Sequence, residues 1–180
     1  MGKIYKKYTF RKFLSLEAGE MEEYESTGLL LKPNSWGVSD FMQWPYLTVK
    51  EIQSNIAGNI TYEQIIEIIH KLTGIGKDKI LDKCWIDIFR FLKFVFDSIE
   101  RVNELEEKLI YEPDTDEVNA GIEMYNQFGY FATIDRLAQG DTLKYEEVGQ
   151  LEYSIVFSKL MLNQVDSQFM KNYQKIIMKK

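Results

Sequence analysis

The sequence holds one cysteine and one histidine in 180 residues. A single cysteine excludes an internal disulfide framework, and a single histidine removes most zinc sites and most histidine-based catalytic dyads. Basic residues are in the minority: 22 Lys and Arg against 28 Asp and Glu give a formal net charge of −6. The whole protein is therefore not a general binder of polyanions. Prolines number three, at Pro33, Pro45 and Pro113, and their scarcity leaves long stretches free to be helical. No window approaches the roughly 18 uncharged apolar residues of a membrane span. The richest stretch, CWIDIFRFLKFVF, carries a charge every third or fourth residue. The start, MGKIYKKYTFRKF, offers no uninterrupted apolar run of a signal peptide, and Lys6 stands where a myristoylation motif wants Ser or Thr. A reducing cytoplasm, or a particle assembled in one, is the expected location.

What the chain has in plenty is aromatic side chain, 14% of all residues. That supplies a core and leaves a surplus for partner surfaces. Residues 1–13 alternate basic with aromatic: Lys3, Lys6, Lys7, Arg11 and Lys12 among Tyr5, Tyr8, Phe10 and Phe13. Positive charge with stackable rings is what non-specific nucleic-acid binding needs, although five basic residues are a weak footprint. An acidic segment follows (Glu17, Glu20, Glu22, Glu23, Glu25), and an electrostatic match between these neighbours or to a partner is one reading. An ordinary solvated arm and helix is the other.

The periodicity predicts an all-α fold. Residues 26–47 read as an irregular connection with a short helix near 39–44. Thr48 is expected to cap a helix through Ile56, ended by Gly58. T-Y-E-Q at Thr61 is a capping box, Ile65, Ile66, Ile68, Ile69 and Leu72 supply an apolar face, and Gly74 is the natural stop. Leu81, Trp85, Ile88, Leu92, Val95, Ile99 and Val102 follow each other at alternating steps of four and three. This predicts one long central helix over about 78–111, roughly 45–50 Å at 1.5 Å per residue, with a bundle built around it. Ile86, Phe89, Phe91, Phe94 and Phe96 add apolar surface beyond the stripe and make its first half apolar nearly all round, as in a buried central helix or an oligomer contact. If that helix is incompletely covered, Trp85, Phe89, Phe91, Phe94 and Phe96 and the arm's Tyr5, Tyr8, Phe10 and Phe13 are the candidate partner-binding residues.

Beyond Pro113 a series of short helices is expected. The first is capped at Thr115 or Asp116 and closed by Gly129, and the second, 131–139, is closed by Gly140. Further helices are expected over 143–149, 151–162 and 167–178, the last capped by Asp166. One helical domain over 1–180 accommodates this, subdivided as 1–47, 48–111 and 112–180. No internal repeat stands out at the usual solenoid periods.

Candidate chemistry is thin. Glu67 and His70 form E-x-x-H, but a di-iron bundle needs that motif twice. Cys84 beside Trp85 reads as a small buried hydrophobe. The G-I-G-K at 74–77 lacks the further Gly and the Ser or Thr of a phosphate loop and reads as a helix stop. Asp141 reads as a cap, and Asp135 as a surface partner of Arg136 or Lys144. No catalytic constellation, metal site or cofactor is expected, and the protein is read as a non-enzyme.

The stretch FGYFATIDRLAQGDTLKYEEVGQLEYSIVFSKL, residues 128–160, resembles small helical proteins of tailed bacteriophages that act in tail assembly or in the head–tail region. The likeness rests on an FG turn, an I-D-x-L-A-x-G-D unit, K-Y-E-E-V and an aliphatic helix, and it covers the C-terminal third. It implies a non-enzymatic role, as a structural subunit or an assembly chaperone, with other virion or assembly proteins, or further copies of itself, as partners. It carries over no functional residues. The alternative is a small regulator that contacts a host protein or nucleic acid through the basic arm.

Overall fold

The computed structural model describes residues 6–58, 60–109 and 113–178, and among them the secondary structure is all-α. The α-helices are α1 (Phe10–Phe13), α2 (Ala18–Leu29), α3 (Tyr46–Ala57), α4 (Tyr62–Thr73), α5 (Lys77–Leu81), α6 (Trp85–Glu106), α7 (Thr115–Asn119), α8 (Tyr130–Leu137), α9 (Tyr145–Gln150) and α10 (Tyr153–Ile177). Four short 3-10 helices lie between them. The chain packs as two compact units, one from residues up to 41 with 51–101, the other from 42–50 with 102 onward. These boundaries differ from the expected cuts at 47/48 and 111/112, because α3 and α6 each contribute residues to both units.

The first unit closes around an aromatic cluster. The N-terminal segment is not a loose arm: Thr9 caps α1, and Phe10 and Phe13 are completely buried. Backbone bonds fix the segment, with Phe10 N–H donating to the Lys83 carbonyl at 2.7 Å and Trp85 N–H to that of Tyr8 at 3.1 Å. Phe13 meets Phe89 edge to face at 5.5 Å, and Tyr24 meets Trp85 the same way at 4.9 Å. Such offset geometries suit ring quadrupoles. The same bonds explain why the expected helix over 78–111 is broken. Asp82 closes α5, residues 82–84 turn to receive the N-terminal segment, and α6 restarts at Trp85. Its other end gives way to a 3-10 turn at Glu107–Leu109.

The α4 expectations hold in detail. Thr61 Oγ1 accepts from Gln64 N–H, Gln64 Oε1 accepts from Thr61 N–H at 2.8 Å, and Gly74 ends the helix at φ +69°. The connection after α2 is irregular but pinned: Asn34 N–H donates to the Arg90 carbonyl at 3.0 Å, and Trp36 stacks on Phe91 at 4.6 Å.

Gly28 is the tightest spot. A Cβ there would lie 2.7 Å from both Cβ and Cγ of Phe89. Glycine to alanine inside a helix ordinarily gains about 0.5–1 kcal/mol. Here the intruding methyl must displace a ring anchored close to its own backbone, and overpacking costs about 1–3 kcal/mol. Gly28→Ala is therefore expected to lower the urea midpoint rather than raise it.

The second unit repeats the closing device. Tyr46 N–H donates to the Leu151 carbonyl and Tyr153 N–H to the Trp44 carbonyl, both at 2.8 Å. The helix-opening rings Tyr46 and Tyr153 stack 6.3 Å apart, both buried. This pairing starts α3 at Tyr46, two residues before the expected Thr48 cap. Asp114 caps α7 in a reciprocal box with Glu117. Gly121, at φ +83°, then ends that helix early, so a 3-10 helix (Ile122–Phe128) carries the remaining residues to Gly129. Asp141 acts as a cap by accepting from Leu143 N–H at 3.1 Å. The C-terminal region is a correction: one helix of 25 residues runs through 163–166 where two helices were expected. Nothing between 153 and 178 is Gly or Pro, so Asp166 lies inside a continuous helix and faces solvent.

Candidate functional site

The expected partner-binding residues divide sharply. Phe10, Phe13, Trp85, Phe89 and Phe91 are at most 4% exposed. They are the core of the first unit, so their side chains are withdrawn from any partner. Tyr8, Phe94 and Phe96 are half-buried. Tyr8 lies against Tyr24 at 5.8 Å and Phe94 against Phe91 at 5.9 Å. Tyr5 lies outside the described residues. Within the described part of the basic segment, Arg11 reaches Asp82 at 3.4 Å and Asp78 at 3.8 Å. With Phe10 and Phe13 buried, those two rings cannot stack on bases.

The remaining candidates have structural partners. Glu67 pairs with Lys77, and His70 Nδ1 lies 2.9 Å from the Ile75 carbonyl behind the Gly74 stop. Among the described residues, no group of three or more His, Cys, Asp or Glu is placed to hold a metal. Cys84 is half-exposed at the bridge to Thr9, not buried. Asp135 accepts from the Tyr145 hydroxyl, while Lys144 pairs with Asp141 at 3.4 Å.

Large apolar side chains at the surface are concentrated elsewhere. Among the described residues, those of the first unit are covered apart from Leu30, whereas the second unit exposes many, Met124, Tyr125, Phe128, Phe131 and Leu143 among them. The longest series lies on α10. Tyr153 and Val156 face inward at its start, and further on Lys171 Nζ reaches Glu117 at 3.1 Å and Asp114 at 3.4 Å. At about 100° per residue, Leu160, Asn163, Gln164 and Lys171 continue this inner face, and they line a groove of about 800 Å³. The opposite face carries Ile155, Leu162, Val165, Phe169, Tyr173 and Ile176, each between 50% and 62% exposed. Phe169 and Tyr173 stack on one another at 6.0 Å.

Comparison with protein-family models, with curated proteins and with solved structures finds no match for this chain.

The second unit also holds the protein's best-shielded ion pair among the described residues. Lys50 Nζ donates to both carboxylate oxygens of Glu106 at 2.6 Å, with the two side chains 14% and 24% exposed. The Tyr153 hydroxyl donates to Glu106 Oε1 at 2.9 Å. Burial pushes the Tyr46 phenol up to about 12, opposed by a hydrogen bond with Thr133 and assisted by the Glu106 charge. Burial and the Glu106 carboxylate raise Tyr153 as well. Tyr46, Lys50 and Glu106 border a small cleft of about 360 Å³ with Tyr130, Thr133 and Leu160. An ion pair already satisfied on both sides holds α3, α6 and α10 residues together. It has no uncommitted base or acid to offer a substrate.

Among the described residues, no helix is long and apolar enough to cross a membrane.

Proposed function

We propose that this protein is a non-enzymatic protein–protein interaction module, a structural or assembly protein of a tailed-phage particle, acting in the tail or head–tail region. The observation that supports it most is the uneven distribution of exposed apolar surface. The second unit displays a stripe on α10 and further rings at Tyr125, Phe128 and Phe131, while among the described residues of the first unit Leu30 is the one large apolar side chain that is exposed. Exposed contiguous apolar surface on a protein that folds around a separate core marks a binding face. The phage context rests on the resemblance of residues 128–160.

Deleting the gene from the phage genome that encodes it tests this reading. The expected result is loss of infectious particles, with unjoined heads and tails in electron micrographs, restored by the wild-type gene and not by a Phe128→Glu, Phe131→Glu variant of unchanged helicity. Full titre and complete particles without the gene would overturn it.

A further inference from the structure

We propose that the exposed face of α10 pairs with α10 of a second copy of this chain, the two helices running antiparallel. This rests on the interaction-module reading and names the partner for one of its surfaces.

The spacing points to a helix as the occupant. Ile155, Leu162, Phe169 and Ile176 recur at intervals of seven, with Val165 three places after Leu162. A straight α-helix drifts by about 20° per heptad, so a strict seven-residue repeat stays on one line only when the helix supercoils around another. The extent fits too. The six half-exposed side chains run along one face for most of the helix, as a pairing seam of several turns requires.

Three features single out this same helix, reversed. With Ile155, Leu162, Phe169 and Ile176 taken as the first core position, Ser158, Val165 and Asn172 occupy the second. An antiparallel pair sets first positions against second ones. It places Leu162 opposite Val165, Phe169 opposite Ser158 and Ile155 opposite Asn172, a large side chain meeting a smaller or polar one in each layer. The flanking charges complete it. Lys159 and Asp166 are both exposed and occupy the same flanking position one heptad apart. In the antiparallel register they face each other across the seam, twice by two-fold symmetry. In a parallel pair Lys159 would face Ser154 and Asp166 would face Met161, leaving both charges without a counterpart.

Light scattering and sedimentation on the full chain test the proposal. The expected mass is twice the 21.2 kDa of the chain, and Phe169→Glu is expected to give a monomer with unchanged circular dichroism. The register is tested by charge exchange. Lys159→Asp alone and Asp166→Lys alone each turn two attractive pairs into repulsive ones, and each is expected to weaken the dimer about tenfold or more. Mixing those two single variants restores opposite charges at both pairs, so a heterodimer as tight as the wild type is expected. A wild-type monomer up to millimolar concentration overturns self-pairing, and leaves the particle-assembly reading to its own genetic test. A dimer untouched by Phe169→Glu, or broken by it but indifferent to charge exchange, overturns the proposed surface or its antiparallel register respectively.

Discussion

Trp85→Ala is expected to lower the stability of the chain by about 3–5 kcal/mol, the range for deleting a fully buried tryptophan. Against a total of about 5–15 kcal/mol for a protein of ordinary stability, this is enough to leave much of the population unfolded near 37 °C. Three losses combine. The indole packs edge to face on Tyr24 and Phe89 and lies along Phe13, so its removal opens a cavity among rings that cannot collapse together. The indole N–H also donates to the Lys6 carbonyl at 2.9 Å, and alanine removes that bond. The anchor of the N-terminal segment weakens with it, because the indole that Phe13 lies along is gone. Trp85→Phe retains most of the packing and is expected to cost about 1–2 kcal/mol, near the value of one hydrogen bond with some lost volume. Urea unfolding followed by circular dichroism measures both. An alanine variant as stable as the wild type would show that the ring is not core.

Glu106→Ala is expected to destabilise the second unit by about 3 kcal/mol. Removing one partner of a shielded ion pair leaves the other charge uncompensated, which costs about 3–5 kcal/mol at full burial. The residual exposure of Lys50 places this case at the lower end. Glu106→Gln separates charge from shape, since the amide still accepts from Tyr153 but no longer carries the charge opposite Lys50. The two variants also predict a change at alkaline pH. Tyr46 titrates at about 12 in the folded chain, above its ordinary value of 10, so folding favours the neutral phenol. Its contribution to stability is fully present below pH 10 and is lost as pH climbs from 10 towards 12. Tyr153, also raised, acts with the same sign. Glu106→Gln removes a negative charge that raises both phenols, so the variant is expected to be less stable at neutral pH but to decline less steeply above pH 10. Tyrosinate absorbance and denaturant midpoints at several pH values read these effects out. An unchanged tyrosinate titration in the glutamine variant would show that the carboxylate does not act on these phenols.

The all-α class and α4 were legible because their determinants are local: Thr61, Gln64 and Gly74 sit within one helix and its caps. The break at 82–84 was not. Leu81, Trp85 and Ile88 keep their spacing across it, and the groups that end α5 and restart α6 are bound by Tyr8 and Phe10, far away in sequence. Long-range backbone pairing overrides a local pattern without leaving a mark in it. Asp166 misled in the opposite direction, since an aspartate suits a cap but is equally at ease on the exposed side of a continuing helix. Splitting α10 there concealed the seven-residue recurrence of Ile155, Leu162, Phe169 and Ile176, a signal present in the sequence all along. The Lys50–Glu106 pair had no local signature, because 56 residues separate its members. Trp85, Phe89 and Phe91 of α6 are buried, while Phe94 and Phe96 are half-buried. Whether they are covered depends on α2 and the N-terminal segment, whose amphipathic pattern is weaker.

The two bridges, Thr9 with Cys84 and Pro45 with Glu152, are interleaved along the chain, so they become available for closure one after the other during synthesis. The first closure is available once Trp85 has left the ribosome, while Trp44 and Tyr46 must wait for Leu151 and Tyr153. At about 5–20 residues per second the delay is on the order of several seconds. During that interval a nascent chain with its first unit formed still carries Tyr46 without the Tyr153 ring on which it stacks. The most vulnerable moment for this protein therefore falls late in translation, when a holdase or an early-binding neighbour would protect it best.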